Sequence, residues 1–144
     1  KLTMASFLHD ISLTDHQIAA IQTLEQLKKL KLTEAEFRNY LLHPSKAAEI
    51  ARKFHEIPPD VDTIIIQHHE RPDGSGFPRK LTWNKIAPLA ALFIVAHDLV
   101  DWIFNRGPEF KLEEFTTYAK NYYTQGNFKK VAAVLEEFDL GELA

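Results

Sequence analysis

His9-Asp10, His43, His68-His69 and Asp98 each fall on or beside an apolar helical face, where a solvated polar side chain is out of place. His43 shares its face with Ala47, Ala51 and Phe54, and His68 follows Val61 and Ile64 at helical spacing. Asp98 lies one turn past Ile94 in the most hydrophobic segment of the chain. A buried carboxylate needs a partner of opposite charge, because leaving it unpaired costs several kcal/mol. Arg52 is one candidate. A divalent ion is another, and it would neutralise all these groups at once. Taken singly, each histidine reads as a core residue with its ring nitrogens hydrogen-bonded, and neighbours such as His68 and His69 point ~100° apart on a helix. Taken together, the six groups on four inward faces read equally well as a metal site.

The elements that must carry these residues are nearly all helical. Thr14-Asp-His-Gln17 has the capping-box pattern, and Ile18, Ile21, Leu24 and Leu27 then recur at helical spacing. Thr33-Glu-Ala-Glu36 opens a second helix through Phe37, Leu41 and Leu42. His43-Pro44 is expected to end it and start another, since proline suits the first helical position and disfavours helix at the residue before it. Pro58-Pro59 stops that helix, and Val61, Ile64, Ile65 and His68 mark one face of the next. Arg71 to Pro78 holds two glycines and two prolines, which specifies a tight loop. Ile86 to Phe104 is apolar almost all round and reads as a central buried helix, broken at Asn105-Arg-Gly-Pro108. Two amphipathic helices follow, over 111–124 and 128–138. No useful strand alternation occurs, so the expected fold is an all-α bundle of six to eight helices.

Composition removes other classes. The chain has 144 residues with 45% hydrophobic and 26% charged, no cysteine, and a net charge of −3. One globular domain is the default, and disulfide scaffolds, thiolate zinc sites and cysteine nucleophiles are excluded. The charge balance argues against a nucleic-acid surface or a polybasic membrane tail. The longest apolar run, Ile86 to Ala96, covers 11 residues, shorter than the ~20 of a bilayer span. A cytoplasmic location with neither nucleic acid nor membrane as partner is therefore expected. A first residue that is not methionine suggests a domain cut from a longer chain. Glu-x-x-His, His-Glu-x-x-His, Walker and Gly-x-Gly-x-x-Gly patterns are absent, and Gly-Ser75-Gly lacks the strand-to-helix setting of a nucleophile elbow.

Leu8-His-Asp-Ile11, His43-Pro44, His68-His-Glu-Arg-Pro-Asp-Gly-Ser-Gly-Phe-Pro78, and Val95-Ala-His-Asp98 with Asp101 one turn on, resemble the HD-GYP family. These are bacterial metal-dependent phosphodiesterases acting on cyclic di-GMP, within the all-helical HD superfamily. The match runs in order from Leu8 to Pro108, and the block starting at His68 is its most specific part. The resemblance implies two divalent ions, iron first, with manganese or zinc as alternatives. Asp10 would be the catalytic residue that bridges them. His9 and Asp98 would bind one ion; His43, His68 and His69 would bind the other. The His68-His69 pair fits if the helix ends there. Ions ~3.5–4 Å apart would hold a bridging hydroxide that attacks phosphorus in line. Gly76 and Phe77 in the loop, with Arg106, would meet the substrate, and Phe128 falls where the family often has phenylalanine.

The departures matter as much. Ser12 and Leu13 replace the glycine and lysine of the family pattern, and Phe77 replaces its tyrosine. The absence of one phosphate-binding group costs ~10²–10³ in rate, by analogy with one oxyanion donor. The family also has a ligand upstream of its His-Asp pair, and only eight residues precede His9 here. The expected function is a cyclic di-GMP phosphodiesterase of weak or conditional activity. The alternatives are a metal-containing module that binds a nucleotide or a signalling protein without turnover, or a phosphohydrolase for another nucleotide.

Overall fold

Side chains that reach back to the backbone set two of the helix starts. The computed structural model describes residues 1–14, 16–19, 21 and 23–137, without the side chains of residues 16 and 17. Among the described residues there are eight α-helices and no strand, only an isolated bridge between Asp73 and Thr82. α1 covers Leu2–Leu8, α2 His16–Ala19, α3 Leu24–Lys29 and α4 Glu34–Arg52. Thr23 and Gln26 form a capping box at the start of α3, and Thr33 and Glu36 form the expected one at α4. The box expected at Thr14 involves Asp15 and the Gln17 side chain, which lie outside the described residues. The single helix expected from Thr14 to Leu27 is instead divided, because Thr23 caps a start of its own. Ile21 and Leu27 nonetheless join one buried cluster with Tyr40 and Phe77.

α4 corrects the expected break at His43-Pro44. It runs from Glu34 to Arg52 with Pro44 inside it. Proline has no N–H for the carbonyl four residues earlier, which is that of Tyr40. That carbonyl instead accepts a hydrogen bond from His43 Nδ1 at 2.5 Å. The proline thus leaves an acceptor that orients a buried histidine. Past it, Ala47, Ala48 and Ala51 let the helix approach Val61, Ile64 and Ile65 of α5 (Val61–Gln67) closely. Replacing Pro44 by alanine supplies a competing N–H for the Tyr40 carbonyl. Pro44→Ala should stabilise the metal-free fold yet weaken divalent-ion binding about tenfold, as removal of a ligand's supporting hydrogen bond does; thermal melts and metal titration read the two effects separately.

α6 (Pro88–Arg106) begins on Pro88 at its first turn and stops at Gly107. α7 covers Leu112–Tyr122 and α8 Gly126–Glu136, within a few residues of expectation. α6 is long and apolar enough to cross a membrane by length and composition alone. Its first half is buried as expected, through Ala90, Ala91, Ile94 and Val95. Its second half is not, since Val100, Ile103 and Phe104 are exposed, the last at 87%.

α4 packs along α5, α1 and α6 flank α5, and α7 and α8 close over α6. One cluster joins Ile94 and Val95 to Phe115, Tyr123 and Phe128, with Phe128 stacked on Tyr123. A second unites α1, α4, α5 and Phe93 of α6. The third holds Leu27, Tyr40 and Phe77, and Leu13 packs onto it. The histidines lie where the second and third clusters meet.

Candidate metal centre

Three histidines are aimed in the same way. Each gives its Nδ1 hydrogen to a backbone carbonyl three residues earlier: His9 to Ser6 at 2.9 Å, His43 to Tyr40 at 2.5 Å and His68 to Ile65 at 2.6 Å. Helix ends leave such carbonyls without their usual donor four residues on, and the Ile65 carbonyl accepts only a long 3.4 Å bond from the His68 N–H besides the ring. α1 ends at Leu8 and α5 at Gln67, while in α4 Pro44 has the same effect. A carbonyl only accepts, so Nδ1 carries the hydrogen and Nε2 of the neutral ring is a lone pair.

These Nε2 lone pairs converge on Asp10. Its Oδ1 is 3.2 Å from His43 Nε2 and 3.6 Å from His68 Nε2, and its Oδ2 is 3.3 Å from His9 Nε2. His43 and His68 bring their Nε2 atoms to 3.2 Å of each other. Asp10 Oδ1 is buried and has no hydrogen-bond partner. Two lone pairs and an orphaned carboxylate oxygen at such distances repel unless a cation lies between them. Ligand atoms ~2.1 Å from one ion sit ~3.0–3.4 Å apart in octahedral or tetrahedral geometry, which all of these separations match except the 3.6 Å from Asp10 Oδ1 to His68 Nε2. Ligand atoms of Asp10, His43, His68 and His69 all lie within 4.8 Å of one another. This His/Asp set fits a divalent metal ion of the kind that takes nitrogen and oxygen donors.

The electrostatics agree. Burial pushes His68 down to about 4, against the pull of Asp10. Burial and the neighbouring imidazoles hold His69 well below its ordinary value. Both rings are therefore neutral and able to ligate at physiological pH. For His9 burial acts downward, and contact with Asp10 overcomes it, raising the ring.

Asp98 stands apart from this group. It accepts two hydrogen bonds from Arg71 Nη1, both at 2.8 Å, and one from the Tyr123 hydroxyl at 2.5 Å. Its charge is answered by a guanidinium, so the structure pairs Asp98 with Arg71 where a ligand beside His9 was expected. Arg52, the other cation weighed for it, pairs with Asp62 at 2.6 Å. The residue that does face His9 is His97, its Nε2 at 3.2 Å. Adjacent positions on a helix diverge by ~100°, and that rule separates His97 from Asp98.

The loop after α5 forms the other wall. Glu70 is buried and accepts from the backbone N–H of Arg79 and Leu81, both at 2.7 Å, closing the loop back on the helix end. Burial raises its carboxyl, and those backbone bonds oppose the rise. Phe77 is 4% exposed and stacks on His69 with centroids 4.5 Å apart. Gly76 lies against the backbone, and a Cβ there would come within 2.4 Å of the His69 carbonyl and 2.5 Å of Arg71 N. Neither atom belongs to a flexible side chain, so the loop would have to move. Gly76→Ala should cost about 3 kcal/mol and lower Tm by about 10 °C, measured by thermal denaturation.

A cavity of about 610 Å³ opens beside the cluster, with His69, Gly76 and Phe77 in its wall together with Arg71, Trp102 and Tyr118. Arg106 is not among the residues that line it. It bonds Glu114 at 2.5 Å and lies 3.8 Å over the ring of Trp102. Its link to the cavity is indirect, through that ring.

Residues 1–119 match the family described as HD domain. A cyclic di-GMP phosphodiesterase of Pseudomonas aeruginosa is 31% identical over 105 residues, which is 73% of this chain and 24% of that protein. The chain thus spans about a quarter of the length of that relative. No solved structure matches. With the histidine–aspartate cluster, the family match and this relative agreeing, the chain belongs to the HD domain family and is of the HD-GYP type.

Proposed function

We propose that the chain is a metal-dependent phosphodiesterase that hydrolyses cyclic di-GMP. The observation that carries the reading is the orphaned Asp10 Oδ1, ringed by imidazole nitrogens whose other nitrogens are tied to carbonyls. In this reading Asp10, His43, His68 and His69 would hold one ion, and His9, beside Asp10 Oδ2, would help hold a second. Iron is the first choice, with manganese or zinc as alternatives. When bound, such ions make water a nucleophile at neutral pH and offset charge on phosphate oxygens.

The chain's own residues supply the rest. His69 is shared by the cluster and the cavity wall, so a phosphate bound in the cavity lies beside the ions. Trp102, Tyr118 and Tyr122 line the same cavity as one packed aromatic wall, against which a purine base could lie. Leu13 has no cation to offer a phosphate where the family has lysine, and it packs instead against the apolar cluster of Ile21, Leu27, Tyr40 and Phe77. Lys28 lies at the cavity and can offer a cation from α3. Phe77 keeps the ring of the family's tyrosine without its hydroxyl.

Leu13 and Phe77 also favour a second reading, a metal-containing module that binds the nucleotide or a signalling partner without turnover. Incubation of manganese- or iron-loaded protein with cyclic di-GMP, followed by chromatography of the products, separates the two. Linear dinucleotide or GMP is the expected product. Binding without product would favour the second reading, and neither binding nor product would overturn both.

A further inference from the structure

The geometry points to His97 as a metal ligand that, with His9 and the Oδ2 atom of Asp10, completes a second ion site. This inference rests on the proposed metal-dependent reading and deepens it. His97 Nε2 is 3.2 Å from His9 Nε2, and His9 Nε2 is 3.3 Å from Asp10 Oδ2. They resemble the 3.2 Å separations of His43 Nε2 from Asp10 Oδ1 and from His68 Nε2 on the other side of the carboxylate, and they fall in the ~3.0–3.4 Å range expected for donors sharing one ion. His9 Nδ1 is bound to the Ser6 carbonyl, so its Nε2 presents a lone pair to His97 when the ring is neutral.

The orientation of His97 is built in. Its ring stacks on Phe93, one helical turn earlier, with centroids 5.8 Å apart and planes at 27°. It meets His9 edge to face at 5.0 Å. Asp98, the next residue, points elsewhere and is held by Arg71 and Tyr123. The carboxylate on that stretch of α6 that spacing offered as a ligand is thus committed, and the imidazole before it takes the place facing α1. The second site is then richer in nitrogen than one closed by a carboxylate, which favours iron or zinc over manganese.

The alternative is a simple hydrogen bond, with His97 Nε2–H donating to His9. Titration of the purified chain with Zn²⁺ alone, followed by calorimetry, distinguishes them. Two ions per chain are expected for the parent and one for His97→Phe, which keeps the packing on Phe93 but cannot ligate. The ion that remains should bind with unchanged affinity, and the other should weaken by about 100-fold or more. His97→Asp, which restores a donor, should return the second ion. Circular dichroism melts identify any variant that fails to fold, and His97→Gln then replaces it in the same titration. Two ions retained at unchanged affinity in His97→Phe would overturn the inference while leaving the proposed function standing, and so would a single ion in the parent. No ion in the parent would overturn the metal-dependent reading itself.

Discussion

Replacing Asp10 by asparagine should abolish divalent-ion binding and phosphodiesterase activity without lowering the stability of the metal-free protein. The amide keeps the shape of the carboxylate but removes the charge that its neighbours converge on. Oδ1 is buried without a hydrogen-bond partner, and the nearest groups are the Nε2 atoms of His43 and His68. Those atoms are lone pairs, because each ring has given its hydrogen to a carbonyl. An asparagine Nδ2 can donate to them, whereas a carboxylate cannot, so the metal-free variant should gain about 1 kcal/mol. Metal affinity should fall by more than about 100-fold, since a direct ligand outweighs the tenfold to hundredfold of its supporting bonds. A stabilised protein without its ions is the signature of a carboxylate placed for a metal. A purely structural aspartate would give the reverse, a drop in stability. Calorimetric melting with and without added Mn²⁺ measures both quantities.

Arg71→Ala should be the most destabilising single change around the cavity, at about 3–5 kcal/mol, because it strands the buried Asp98 carboxylate. Arg71 is itself buried, and burial would lower its guanidinium, but Asp98 and the neighbouring tyrosines hold it above its ordinary value. The Tyr123 hydroxyl, raised by burial and by Asp98, would be left as the donor that remains to that carboxylate. Removing both charges with Arg71→Met and Asp98→Leu should recover most of the stability. Asp98→Asn alone should leave the number of bound ions unchanged. Denaturant titration of the four proteins tests the pairing; one ion fewer in Asp98→Asn would return Asp98 to the metal.

Much of this is legible in residue spacing. The positions of His9, Asp10, His43 and His68 on inward faces, the loop at Arg71–Pro78 and the all-helical architecture follow from periodicity and turn chemistry. Local rules fail where a side chain alters the backbone's options. Pro44 is expected to end a helix, yet α4 passes through it, because packing against α5 outweighs one missing hydrogen bond and His43 uses the carbonyl left over. The helix expected from Thr14 to Leu27 is divided, because two capping signals compete and Thr23 sets its own start. His97 and Asp98 show a different limit. Spacing along α6 places both near the site, but only the rotation of the helix decides which one meets α1 and which meets Arg71. Arg71 itself sits in a loop, where no periodicity tells which way a side chain turns.

Imidazoles from three separate helices and one aspartate gather where a divalent ion would hold them together, and every functional reading depends on that ion. Pulsed electron paramagnetic resonance of the Mn²⁺-loaded protein is the sharpest test, since imidazole nitrogens bound to manganese give characteristic ¹⁴N couplings. Such couplings are expected in the parent protein, reduced in His43→Ala and in His68→Ala. A spectrum of manganese surrounded by water alone, unchanged by either substitution, would refute the metal centre.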